Sequence, residues 1–237
     1  MITYIASASN PADNGLTNTS PVAVVPPGGM QAGDLVLMYA ENREITANIT
    51  SILISNTGGQ AWKTVGAYGG TASLPPRIVI FAALFNGTWT ANPSVAFVTV
   101  TPVNSVVMHV FRPSPGNKFI IDIPLTDTTY NATSPPYTST ITGITTKSSA
   151  VAIAAWGTGA DITFGTLAGT GWVVTGGAQY RNLAGSDQSM SFAHKIHTTG
   201  GATGNVSKNA SGTGGGIHSI LSFAEISSRS FKAKVIM

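Results

Sequence analysis

The chain has 237 residues, 43% of them apolar and only 9% charged, with twelve Lys/Arg against nine Asp/Glu, a formal charge of +3 and no cysteine. It is too apolar and too weakly charged for a disordered chain. It has no thiols for a disulfide scaffold, a thiol enzyme or a Cys-ligated zinc site, and its small basic surplus does not point to nucleic acid.

Met1–Ser9 carries no basic residue ahead of its apolar ones, so it does not read as a secretory signal. No window approaches 18 uninterrupted apolar residues, and no transmembrane helix is expected. Further along, the apolar residues come in short runs. Val22–Val25 stops at Pro26-Pro27-Gly28-Gly29, and Leu35–Ala40 follows Gly33-Asp34. Ile78–Phe85 stops at Asn86-Gly87, Val95–Val100 before Pro102, and Val106–Phe111 at Pro113. Runs of this length, rich in β-branched residues and bounded by turn formers, predict strands on half-buried sheets and almost no helix. Lys118–Ile123 predicts one more strand. The polar stretch Leu125–Ser139 reads as a connection, Ala184–Ser189 and the Gly-rich Thr198–Gly216 as exposed loops, the latter with a weak strand near Asn205–Ser207. Residues 227–237 read as a C-terminal tail, an extended arm that docks on a neighbour or a frayed terminus.

A weak internal repeat organises these elements. Ser20-Pro21 and the strand after it match Ser134-Pro135 and Tyr137–Ile141. Asp34–Ala40 aligns with Ser149–Ala155, Gly59-Gln60-Ala61-Trp62 with Gly169-Thr170-Gly171-Trp172, Phe81 with Phe192, and Phe111 with Phe223. The expected fold is all-β, a jelly-roll-like two-sheet β-sandwich of about ten strands built from two repeated halves. It forms one domain over residues 1–226 (halves about 1–112 and 113–226), with the tail at 227–237.

Few residues carry chemistry. Glu41 and Glu44 are the only close glutamates. Three apart on a strand end they point to opposite faces, with Arg43 between them, and read as a solvated strand end rather than the two facing carboxylates of a glycosidase. His194 and His197, also three apart, are badly spaced for two metal ligands on one strand face. His109 and His218 sit at nearly matching positions in the two closing strands and read as packing residues. There is no Gly-x-Ser-x-Gly elbow and no phosphate loop. Of the tryptophans, Trp62 and Trp172 read as equivalent core residues. Trp89 and Trp156 are the candidates for a sugar-stacking surface, Trp89 being the one expected to be exposed. No catalytic, cofactor-binding or metal-ligating residue is assigned, and no cofactor.

The order Gly33-Asp34-Leu35-Val36-Leu37, Gly59-Gln60-Ala61-Trp62, Arg77-Ile78-Val79-Ile80-Phe81 and Val106-Val107-Met108-His109-Val110-Phe111-Arg112 resembles a β-sandwich module common among tailed-phage structural proteins. Ser149-Ala150 in the second half departs from the Gly-Asp of the first. The resemblance implies a non-enzymatic virion protein, a capsid decoration or minor capsid protein on the particle exterior. The alternative it implies is a tail or fibre module that binds a receptor or glycan. The implied partners are other virion proteins, above all the major capsid protein, and further copies of the chain in a homo-oligomer; neither nucleic acid nor membrane is implied.

Overall fold

A computed structural model describes residues 1–15, 20–43, 52–53, 57–69, 76–97, 103–132, 137–183, 187–212 and 214–228. Its strands in the first half are β1 (Thr3–Asn10), β2 (Val22–Ala23), β3 (Leu35–Asn42), β4 (Ile52–Leu53), β5 (Lys63–Gly69), β6 (Arg77–Leu84), β7 (Ser94–Phe97) and β8 (Asn104–Arg112). The second half supplies β9 (Asn117–Ala132), β10 (Tyr137–Ile141), β11 (Thr145–Thr146), β12 (Ala150–Thr158), β13 (Phe164–Ala168), β14 (Val173–Val174) and β15 (Tyr180–Asn182). It ends with β16 (Gln188–His197), β17 (Gly201–Ala202), β18 (Val206–Ala210) and β19 (Gly214–Ser227). Among the described residues helical structure is confined to a 3-10 turn at Thr57–Gly59 and Ser228, which lies in another.

The protein is all-β, with antiparallel strand ladders. One large sheet has the order β1-β8-β3-β6-β5, the other β9-β19-β12-β16-β14, with β15 also on β16. Each carries a small sheet, β2-β7-β4 in the first half and β10-β18-β13 in the second, and β11 and β17 form a ribbon. Apart from β11, β15 and β17, the strand orders of the two sets of sheets correspond. Two large sheets face each other as the expected sandwich, but the small sheets cover their far sides, so the stack has four layers.

The covered faces explain the sequence of the inner strands. β3 is buried at every residue and so is β12. A strand enclosed on both faces reads as a continuous apolar run rather than an alternation, and Leu-Val-Leu-Met-Tyr-Ala and Ala-Val-Ala-Ile-Ala-Ala-Trp are such runs. The expectation of half-buried sheets is corrected on this point. Alternate residues then divide between two cores. Leu35, Leu37 and Tyr39 join Val151, Ile153, Phe192 and Leu221 in the central layer. Val36 and Met38 face Val22, Val95 and Phe97 in the first outer layer, and Ala152, Ala154 and Trp156 face Ile141, Phe164 and Val206 in the second. Each large apolar side chain fully buried in this way contributes roughly 1.5–3 kcal/mol.

Register corrects the sequence alignment. Leu35 stands opposite Phe111, and Val151, not Ala150, stands opposite Phe223. Shifting a strand by one residue turns every side chain to the other face, so aligning Leu35 with Ala150 pairs a central residue with an outer one. Phe111 and Phe223 share the central layer, whereas Phe81 lies in an outer core and Phe192 in the central one. Three expected loops are also partly strand. β9 runs on to Ala132, Gln188 and Ser189 are buried at the start of β16, and the Gly-rich stretch holds β17, β18 and the start of β19.

Polar contacts join the halves around the central layer. Arg181 Nε lies 3.1 Å from Asp13 Oδ1, Tyr180 donates to Ser7 Oγ at 3.1 Å, and Asn182 Nδ2 donates to the Asn104 carbonyl at 3.0 Å. The Glu225 carboxylate accepts from the Ser114 backbone and hydroxyl and from Ser149 Oγ. Burial disfavours its charge, but these hydrogen bonds hold its pKa below the usual value.

Candidate functional site

The buried ionisable groups lie in three places. At one end of the central layer, Glu41 follows Leu37 and Tyr39 on the inward face of β3 and is 0% exposed. It is not the solvated strand end expected from sequence. Neither carboxylate oxygen has a hydrogen-bond partner among the described residues, and burial raises its pKa well above that of a free glutamate. The opposing sheet makes room with Gly157 of β12. A Cβ there would stand 2.9 Å from Glu41 Oε1 and 2.7 Å from Ile78 Cδ1. Gln188 donates to the Glu41 carbonyl at 3.4 Å. This carboxyl sits inside an interlayer contact that disfavours its charged form. Glu44 lies outside the described residues.

Deeper in the same layer, His109 is ringed by Phe192, Tyr39 and Tyr180, with centroids 4.6, 5.9 and 6.3 Å away. Burial, with His194 adding to it, lowers its pKa to about 3. His194 stacks on Tyr4 at 5.2 Å, meets Thr175 Oγ1 through Nδ1 at 2.8 Å, and is lowered by burial to about 4. His197 follows the opposite parity of β16, so the two rings leave opposite faces of this strand. His109 and His218 do not occupy matching faces. His109 sits in the central layer, whereas His218 Nδ1 contacts Ser139 Oγ of β10 at 2.7 Å. Among the described residues no three His, Asp or Glu side chains come together as a metal-ligand set.

The third place was missed from sequence. Lys208 is 1% exposed in the second outer layer, and its Nζ donates to Ser191 Oγ at 2.6 Å and to the Ala178 carbonyl at 3.1 Å. Burial lowers its pKa to about 8. A serine hydroxyl beside a lysine of depressed pKa is the pairing of a nucleophile and its base. Here both side chains are sealed from solvent, and Ser191 donates to the Ala178 carbonyl at 2.7 Å, so the contact ties β16 and β18 to the Ala178 loop. The alternation Val206, Lys208, Ala210 places Lys208 on the buried face and was the available signal.

Four further acids are engaged structurally. Asp34, 1% exposed, takes Arg112 in a two-pronged ion pair, Nε–Oδ1 at 2.9 Å and Nη2–Oδ2 at 2.8 Å. Arg181 bridges Asp13 and Asp161, and Asp122 accepts from Ser222 Oγ and the Lys147 backbone.

Two concavities and an aromatic cluster lie on the described surface. A cavity of about 370 Å³ lies beside the Asp34–Arg112 pair and the Pro113–Asn117 link. An apolar groove of about 300 Å³ lies between the β5 edge of one large sheet and the β9 edge of the other. The cluster is Trp89, half-buried, stacked on Phe85 at 5.0 Å and on half-buried Trp62 at 6.4 Å. Gln60 holds it in place, donating to Asn86 Oδ1 and the Thr88 carbonyl while accepting from the Asn86 backbone. Gly58, at φ +70°, leaves the space Trp89 needs, since a Cβ there would meet its ring at 2.7 Å. Trp156 is 0% exposed and donates to the Ser139 carbonyl at 3.3 Å, so it is corrected from a surface candidate to a core residue. Trp172 is buried as well.

No family model, curated protein or solved structure matches the chain.

Proposed function

We propose that the chain is a structural protein of a virion exterior, a capsid decoration or minor capsid protein that works by assembly rather than catalysis. One observation carries this reading. Glu41, His109 and the Ser191–Lys208 pair, the most deeply placed ionisable groups described, are sealed between layers, while an apolar concavity lies at the open sheet edges. A four-layer stack with so few charges suits a rigid surface part whose exposed edges neighbours cover. The strand orders also support reading each half as a jelly-roll unit, with 1-8-3-6 against 2-7-4 in the first. Quantitative mass spectrometry of purified particles against the major capsid protein tests the reading. Hundreds of copies place the chain on the capsid lattice, and absence from particles defeats the proposal.

A second reading, a glycan- or receptor-binding module on a tail or fibre, is favoured by the Trp62–Trp89 cluster beside exposed Asn86 and Thr88. Low copy number together with glycan-array binding that disappears in Trp89→Ala selects it over the first.

A further inference from the structure

We propose that the apolar groove between the β5 and β9 edges receives, as an added strand, residues 231–237 of a second copy of this chain. The groove is lined by Val65, Leu84, Phe119, Ile120, Ile121 and Phe223, among others. Leu84, Ile120 and Ile121 are 43%, 42% and 46% exposed, so half of the large apolar side chains that the described surface leaves open meet at this one place. β9 and β5 both end their sheets. An extended segment entering there extends a sheet through main-chain hydrogen bonds while its alternate side chains fill the groove, the β-augmentation mode of recognition. Pro124 has no N–H to offer, which confines pairing on β9 to Asn117–Ile123, the part that borders the groove.

The occupant is read from sequence. Residues 229–237, Arg-Ser-Phe-Lys-Ala-Lys-Val-Ile-Met, lie outside the described residues. Phe231, Ala233 and Val235 alternate with Ser230, Lys232 and Lys234, the period of a strand with one apolar face, and the segment closes on the apolar pair Ile236-Met237. At roughly 3.3 Å per residue, 231–237 spans about 23 Å, ample for Asn117–Ile123. The Ser228 N–H, bonded to the Gly116 carbonyl at 2.8 Å, fixes where the segment starts, beside the first residue of β9. Entering its own groove would require the chain to reverse at once. Ser228 itself lies in a 3-10 turn, and a segment that folded back into its own groove would leave the chain monomeric.

This proposal stands apart from the virion reading, because it is tested on the purified full-length chain and not on particles. Light-scattering mass after size exclusion is expected to give at least twice the monomer's 24.3 kDa. Phe231→Asp removes the arm's first anchor, and Ile121→Asp places a charge in the groove at an exposed site. Each variant alone is expected to run as a monomer. Mixed in equal amounts they are expected to form hetero-pairs, since one keeps an intact groove and the other an intact arm, and that rescue excludes misfolding as the cause. A monomeric wild-type chain overturns the proposal, as does an assembly whose mass neither substitution changes.

Discussion

In the first half, the outer face of the large sheet presents Val36, Met38, Met108 and Val110, and the small sheet closes on it with Val22, Val95 and Phe97. In the second half, the corresponding strand presents Ala152 and Ala154, and Trp156, Phe164 and Trp172 fill the space. The first half fills its outer layer with these valines and methionines together with Phe81, Phe85 and Phe97, and half-buried Trp62 and Trp89 pack against it. The second sets two buried tryptophans and Phe164 against alanines, with a buried lysine among its enclosed residues. The strand order is the same, because β order depends on register and connections, whereas a core requires only that total volume be filled. Like strand order therefore does not require like residues, because residues in corresponding positions can differ when neighbours compensate.

Substitution tests separate the two packing solutions. Trp156→Ala is expected to cost about 3–5 kcal/mol, the range for a fully buried aromatic, while Trp62→Ala in the other half costs roughly half that because its ring is half-buried. Equal losses in chemical denaturation would refute the contrast. Ala154→Leu overfills the second outer layer and is expected to cost about 1–3 kcal/mol, against under about 1.5 kcal/mol for the volume-conserving Met38→Leu.

Titration gives smaller effects. The folded pKa values of His109 and His194, about 3 and about 4, lie below the ordinary 6.5. The unfolded chain therefore takes up protons first, and stability present above pH 6.5 is lost as pH falls toward those folded values. A thermal-melting series in that window is expected to show the loss, reduced in His109→Phe. Lys208 is depressed from 10.5 to about 8. Its contribution is present above pH 10.5 and declines as pH falls through about 8, and Lys208→Met is expected to remove that slope with a net change within about 1–2 kcal/mol at neutral pH. An unaltered alkaline profile in that variant would show that Lys208 is not the titrating group.

Strand positions were legible because apolar runs and their Gly/Pro boundaries are local. The runs at Leu35, Ile78 and Val106 became β3, β6 and β8 within a few residues. The four layers were less legible, although unbroken burial was written in Leu35–Ala40 and Ala150–Trp156. What those runs do not state is which partner covers each face, since that depends on residues far along the chain. The buried positions of Glu41 and Lys208 follow from counting by twos from Leu37–Tyr39 and from Val206. Alignment by residue likeness could not find them, because it tolerates a one-residue slip that a pleated strand does not.

The chain passes from one half to the other through the short link Pro113–Gly116, yet the central layer interleaves Leu37, Tyr39 and Val107 with Ile153, Phe192 and Leu221. A protease that nicks the link would not set the halves free, because the buried surface between the large sheets holds them together after the covalent tie is gone. The two fragments should migrate as one species under native conditions and separate only in denaturant. The link therefore makes a natural split point, where each fragment carries half of an unfinished core and the other fragment completes it.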